Sequence, residues 1–297
     1  MITVRLADGL GNQMFQYALG KTLSERHQTS LALDVSSYRD DQLRHYWLGL
    51  FNIRAQSGSF PRRGLVRGLG RRLGLPGFTL DLGDVQIPGL TYVVREKAYT
   101  FDPSVLEAPD NVYLTGHWQS YKYFMPIEPV IRRTFALGAR AENVRDLARR
   151  IRSVESVCVN VRRTDYVTDP VTAGGLGFVG LEYYTESMKR IYARVKDPTV
   201  FVFSDDLGWC MNNLRFDCPT TFVGHEYAGK GFSEYLYLMT CCKHFVIPNS
   251  TFAWWGVWLS DSKGTIVAPK RWFSATLLND GFKWETVDLI PAGWTQV

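Results

Sequence analysis

Residues 2–7 alternate as a strand, and apolar positions then recur at Phe15, Ala18, Leu19, Thr22 and Leu23, the spacing of one helix face. The turn Asp8-Gly9-Leu10-Gly11-Asn12 lies between them, and a short apolar run at 31–33 completes a βαβ opening. From 36 to 110 the periodicity is poor and Gly, Pro and Arg are frequent, so loops and short elements are expected there. A strand at 112–115 then delivers Gly116-His117-Trp118-Gln119-Ser120, and an Arg-rich helical stretch reads as the domain connection near residue 150. Beyond it, apolar runs at 157–161, 199–203, 220–223, 244–247 and 265–267 alternate with helical patterns such as Tyr184, Met188, Ile191 and Val195. Strands buried on both faces and separated by helices predict a doubly wound parallel sheet. The fold class is α/β, with an N-terminal domain over 1–150 and a C-terminal Rossmann-like domain over 151–297.

Composition narrows the class. The chain has 297 residues, 45% hydrophobic, 14% aromatic and 21% charged, which are globular values and exclude disorder. No stretch of about 18 apolar residues exists, and no apolar signal region precedes the first strand, so a cytoplasmic protein without a transmembrane segment is expected. Five cysteines without CxxC spacing argue against a zinc site and a disulfide framework and suit reduced thiols. Net charge is a mild +5, and nucleic acid is not an expected partner. Arginines cluster at Arg62, Arg63, Arg67, Arg71 and Arg72, and again at Arg132, Arg133, Arg140, Arg145, Arg149, Arg150 and Arg152. Such clusters are solvated helix faces in most proteins and peripheral contacts to anionic lipid in fewer.

Three predicted strands end in concentrated polar chemistry: Arg162-Arg163-Thr164-Asp165, Ser204-Asp205-Asp206 and Asn249-Ser250-Thr251. Ligands of open α/β sheets bind outside the carboxyl ends of the strands, so three such ends together point to a ligand site. Asn249-Ser250-Thr251 precedes a helical segment and reads as an N-cap, and the same helix start can bind an anion. A guanidinium at Arg162 can take a phosphate bidentately, with Asp165 as a partner that orients it; a plain surface ion pair is the competing reading. Asp205 and Asp206 lack the intervening residue of a metal-binding DxD pair, and a ribose contact or a helix cap is preferred. The Gly9-Leu10-Gly11 turn, with Asp34 ending the next strand, suggests a dinucleotide site, but Met14 stands where the third glycine belongs. An NAD-dependent oxidoreductase is therefore a rival, and a non-catalytic carbohydrate-binding protein with aromatic stacking platforms is another.

The blocks Gly9-Leu10-Gly11-Asn12-Gln13-Met14-Phe15-Gln16-Tyr17-Ala18, Val161-Arg162-Arg163-Thr164-Asp165-Tyr166, Phe203-Ser204-Asp205-Asp206 and Asn249-Ser250-Thr251-Phe252-Ala253-Trp254-Trp255-Gly256 resemble, in order, the motifs of bacterial α-1,2-fucosyltransferases of glycosyltransferase family 11. The segment 116–124 resembles that family's GYFQSEKYF. The resemblance implies a GT-B-like fold of two Rossmann-like domains facing a cleft, GDP-fucose as donor substrate, inversion, no metal or other cofactor, and a galactose-terminated acceptor held by the N-terminal domain. It further implies that Arg162 holds the β-phosphate with Asp165 supporting it, that Ser250 and Thr251 bind the diphosphate, and that Asn12 and Gln119 face the transfer site. Gly9, Gly11, Asn160, Ser204, Asp205, Asp206 and Asn249 fall on the donor side by the same carry-over, and His244 lies near guanine. The chain departs from the pattern at Asn160, where the family has His, at Asp8, where it has Gly, and at His117, where it has an aromatic residue. Because relatives carry Gly at position 8, a shared mechanism cannot use Asp8 as its base. Late loss of the hydroxyl proton, to a phosphate oxygen or water, is the preferred course, with Asp165 or another acid as base the alternative.

Overall fold

The computed structural model describes residues 1–39, 44–58, 92–139, 141–164, 167, 177–273 and 286–297. It divides into two compact units: Met1–Leu48 with Ile53–Ile131, and Gly49–Asn52 with Arg132–Val297. The division at Ile131 falls upstream of the connection expected near residue 150.

The first unit is built on strands β1 (Ile2–Arg5), β2 (Leu31–Asp34), β3 (Gln56–Gly58), β4 (Tyr92–Arg95) and β5 (Val112–Thr115). All pairings among them are parallel, in the order β3-β2-β1-β5-β4. Helix α1 (Leu10–Arg26) crosses from β1 to β2 and buries Phe15, Ala18, Leu19, Thr22 and Leu23, the face that the spacing predicts. It also buries Gln13 and Gln16, so it carries polar groups into the interior. Both satisfy backbone groups that the neighbouring loops leave open: Gln16 accepts from Ala7 N–H at 3.0 Å and donates to Gly116 C=O at 3.0 Å.

The second unit follows with α2 (Glu128–Thr134), α3 (Glu142–Arg152), β6 (Glu155–Val161), α4 (Leu181–Tyr192), β7 (Pro198–Ser204), α5 (Leu207–Asn213), β8 (Thr220–Phe222), α6 (Ser233–Thr240), β9 (His244–Val246), α7 (Thr251–Leu259), β10 (Ile266–Ala268) and β11 (Thr295–Gln296). Its parallel sheet runs β11-β10-β9-β6-β7-β8. This is the strand order of an open, doubly wound dinucleotide-binding sheet, its winding reversing at one point, between β6 and β9. Its core holds Val157, Val159, Val161, Val200 and Val202 together with Tyr184, Met188, Ile191 and Val195 of the α4 segment, so the predicted helix face and the predicted strands meet. Each unit is thus Rossmann-like, as the GT-B-like expectation requires of its parts.

The first arginine cluster lies outside the described residues. In the second, Arg145 pairs with Glu142, Arg149 with Asp146, and the Arg132 guanidinium stacks over Trp258 at 4.2 Å. These internal partners favour a solvated, ion-paired helix face, and the peripheral lipid contact gains no support. No helix among the described residues is long and apolar enough to cross a membrane.

Candidate active site

The second sheet reverses its winding once, and in each unit chemistry collects beyond the carboxyl ends of two neighbouring inner strands. In the second unit the crevice lies beyond the carboxyl ends of β6 and β9, where Arg162 and the start of α7 stand. Ser250 caps α7, its Oγ accepting from Ala253 N–H, and the dipole of this nine-residue helix points its positive end into the same crevice. Asn249 donates to the carbonyls of Gly177 (3.2 Å) and Trp272 (3.0 Å), which fixes the turn into the helix.

The loop after β6 is pinned from the next strand. The register pairs Val161 with Ser204, so residues 162–164 run beside Asp205. Asp205 accepts from Arg163 N–H at 2.9 Å and from Thr164 N–H at 3.1 Å, and its Oδ2 lies 3.1 Å from Arg162 Nη1. Asp205 is therefore a carboxylate that orients Arg162; Asp165, the partner expected from the sequence, lies outside the described residues. Asp206 caps α5 by accepting from Trp209 N–H at 3.0 Å and pairs with Arg163 at 2.6 Å; the Trp209 hydrogen bond, aided by Arg163, holds its carboxyl below the usual range against burial. Both aspartates expected to contact the donor are engaged by the protein itself, as clamp and cap. Arg163 also lies over the Trp209 ring at 4.9 Å, a packing role.

Two other expected donor residues are likewise turned to internal use. Asn160 is buried and donates to Phe203 C=O at 3.2 Å, while Ser204 Oγ accepts from Asp206 N–H at 2.9 Å. His244 needs a correction: it opens β9, beside Val157, at the end of the strand opposite Asn249. Its ring meets Glu155 at 3.3 Å and accepts from Thr265 N–H at 2.9 Å, so it belongs to the amino edge of the sheet and not to the crevice.

In the first unit β1 and β5 are parallel neighbours, which brings the turn 8–12 beside 116–120. Gln119 donates to Asn12 Oδ1 at 2.9 Å, uniting two expected site residues. Gly9 precedes α1 and Gly11 lies in its first turn, with Gly9 C=O accepting from Asn12 and Gln13 N–H. The same junction holds a cluster that the sequence reading missed. His117 Nε2 lies 2.7 Å from Asp8 Oδ2, and Tyr99 OH lies 2.9 Å from His117 Nδ1. Glu96 accepts from the N–H groups of His117 (2.7 Å) and Trp118 (2.9 Å). Position 116 must be glycine, since a Cβ there would sit 2.4 Å from Glu96 Cβ. Had β4 been recognised, the polar residues just past its end, Glu96 and Tyr99, would have stood out by the same logic as Arg162.

The hydrogen bond from His117 holds the Asp8 carboxyl below its usual range, against burial and with help from the charges of His117, Arg44 and Arg5. Burial pulls the His117 pKa down, but the hydrogen bond and charge of Asp8, with Glu96, raise it overall. Burial raises Glu96. The sign follows from linkage: His117 contributes stability that is full below its ordinary 6.5 and fades as pH rises through the elevated value. Asp8 contributes above its ordinary 3.8 and fades as pH falls through the depressed value. The melting-temperature difference between the wild type and His117→Phe should therefore be greatest between about pH 4 and 6.5 and shrink toward pH 9; a difference that grows at alkaline pH contradicts the pairing.

A parallel α/β unit with a guanidinium and a helix start at its switch point is the arrangement of a nucleotide-binding protein, here joined to a second unit of the same kind. The chain belongs to glycosyltransferase family 11: the Glycosyl transferase family 11 profile matches residues 96–294. It is 28% identical over 306 residues to an alpha-1,2-colitosyltransferase of Escherichia coli, covering 100% of this chain and 99% of that one. It is 30% identical over 195 residues to galactoside alpha-(1,2)-fucosyltransferase 1 of Mus musculus, covering 61% of this chain and 51% of the mouse protein. A solved structure of an Arabidopsis thaliana FUT1 mutant in complex with GDP aligns with TM-score 0.49 at 13% identity, over 89% of this chain and 69% of that one. Among the described residues no group of three His, Cys, Asp or Glu side chains is placed to hold a metal ion.

Proposed function

We propose that this glycosyltransferase moves L-fucose, with inversion, from GDP-β-L-fucose to the 2-hydroxyl of a terminal β-galactoside. The observation that carries the reading is the placement of Arg162 and the Ser250-capped start of α7 after the carboxyl ends of the neighbouring strands β6 and β9, at the switch point of the second sheet. Departure of a nucleoside diphosphate builds negative charge on the phosphate and oxocarbenium character on the sugar. Arg162 takes the β-phosphate, and Ser250 and Thr251 with the first-turn N–H groups take the diphosphate, so stabilisation is in place before the bond breaks. Asn12 and Gln119 orient the acceptor hydroxyl, which loses its proton late, to a phosphate oxygen or water. The 1,2 linkage is supported by two relatives whose names carry it, one bacterial and one animal. Five free cysteines suit work in the reducing cytoplasm.

The test is incubation with GDP-fucose and a panel of galactosides, with the product linkage read by NMR. Because the colitosyltransferase matches the whole chain, GDP-activated colitose is run as a second donor. A Fucα1-2Gal product supports the proposal; colitose transfer alone moves the donor assignment, and no transfer from either donor overturns it. With an arginine and a helix start as counterions, EDTA should leave most activity intact, and a loss restored by Mg²⁺ or Mn²⁺ would falsify the metal-free reading.

A further inference from the structure

Asp8 has φ 63, a left-handed conformation that glycine adopts without cost and other residues pay for. Trp118, on the facing strand-end loop, has φ 58. The chain keeps an aspartate at position 8, where the family pattern has glycine, and its carboxylate meets the ring of His117, the other departure in this unit. Two departures that are far apart in sequence are thus direct partners.

The pair is held from several sides. Tyr99 stacks on His117 with ring centroids 5.6 Å apart and reaches its Nδ1, Glu96 fixes the backbone of residues 117 and 118, and Tyr38 OH donates to Asp8 C=O at 3.0 Å. The Asp8 side chain is nevertheless 46% exposed, and among the described residues Oδ1 takes no hydrogen bond. Beside Asn12, Gln119 is 5% exposed, and its Oε1 has no hydrogen-bond partner among the described residues. A buried acceptor left unmet is costly, and a ligand hydroxyl is one donor that would meet it. A charged carboxylate oxygen and an amide oxygen, both asking for donors at the crevice end of one sheet, suit hydroxyl groups and repel an anion.

We propose that Asp8, positioned by His117, and Gln119 form a recognition site for a neutral sugar, each accepting a hydrogen bond from a ligand hydroxyl and together rejecting a carboxylated sugar. The identity of that sugar as the acceptor rests on the proposed transferase activity; the binding does not. Asp8 stays ionised beside His117, with Arg5 and Arg44 adding positive field and Glu96 and Tyr99 facing the imidazole. It binds a hydroxyl and is a poor proton acceptor, consistent with late proton loss in the transfer.

The experiment measures binding of methyl β-galactoside and of methyl β-galacturonide to the full chain by calorimetry, with no donor present. The wild type should prefer the galactoside by about tenfold or more, and Asp8→Gly, whose backbone suits the left-handed turn, should bind it about 10- to 100-fold more weakly, the loss of one charge-assisted hydrogen bond. GDP affinity of Asp8→Gly should not change. His117→Gln, which still donates to Asp8, should keep most of the galactoside affinity, and His117→Phe should lose it. Galactoside affinity in Asp8→Gly within twofold of the wild type, or equal affinity of the wild type for the two sugars, overturns the proposal. If transfer fails with both donors while Asp8→Gly still loses galactoside binding, the reaction assignment falls and the recognition site stands.

Discussion

Arg162→Lys is expected to lower kcat/KM by about 2 to 4 kcal/mol, about 30- to 1000-fold, with little change in melting temperature. Lysine keeps the charge but not the planar fork, and Arg162 uses one arm toward Asp205 at 3.1 Å. A planar fork anchored by a carboxylate keeps a fixed orientation; an ammonium on a flexible stem must choose between Asp205 and the phosphate. The loss should appear in kcat as well as KM, because the counterion matters most when the leaving charge is fully developed. Arg163→Lys is the comparison. Its guanidinium is committed to Asp206 and to the faces of Trp209 and Phe178, so its replacement should lower stability and leave turnover within about tenfold. Near wild-type turnover in Arg162→Lys would make Arg162 a structural residue.

What could be read along the chain depended on whether a signal was local. The second sheet was legible because buried parallel strands announce themselves as apolar runs, and the predicted 199–203 differs from Pro198–Ser204 by one residue at each end. β3 was not, since Gln56–Gly58 is polar and largely exposed and lies at a sheet edge, where no alternation is imposed. The site divides the same way. Ser250 as a cap and Arg162 at a strand end follow from their own neighbours. One partner of Arg162 does not: the parallel register of β6 against β7 supplies Asp205 from about forty residues away, while the expected Asp165 lies outside the described residues. His244 went astray for a related reason, because the short apolar run it opens does not say which of its ends faces the ligand. Asp8 and His117 were visible as departures from a pattern, and only the fold shows that they touch.

That lateral pairing leads to the sharper test of the donor site. Asp205→Ala removes the acceptor of two backbone N–H groups and of the Arg162 side chain, loosening the loop 162–164, which keeps the Arg163–Asp206 pair and the Thr164 hydrogen bond to the backbone of residue 205. The cost in stability should be modest, about 1 to 3 kcal/mol for partly buried donors left to water, so the protein remains folded. The cost in kcat/KM should be larger, about 10²-fold, because a guanidinium displaced by about 1 Å no longer meets the phosphate. If Asp205 acts through Arg162, the effects will not add: Asp205→Ala with Arg162→Lys should be no slower than the worse single variant by more than about threefold. Asp206→Ala separates clamp from cap. It loses the α5 cap and the Arg163 pair, about 1 kcal/mol of stability, and should turn over nearly normally. Additive losses in the double variant, or an Asp206→Ala enzyme as slow as Asp205→Ala, would show that the aspartates serve the donor directly and that Arg162 does not depend on the β6 to β7 register for its aim.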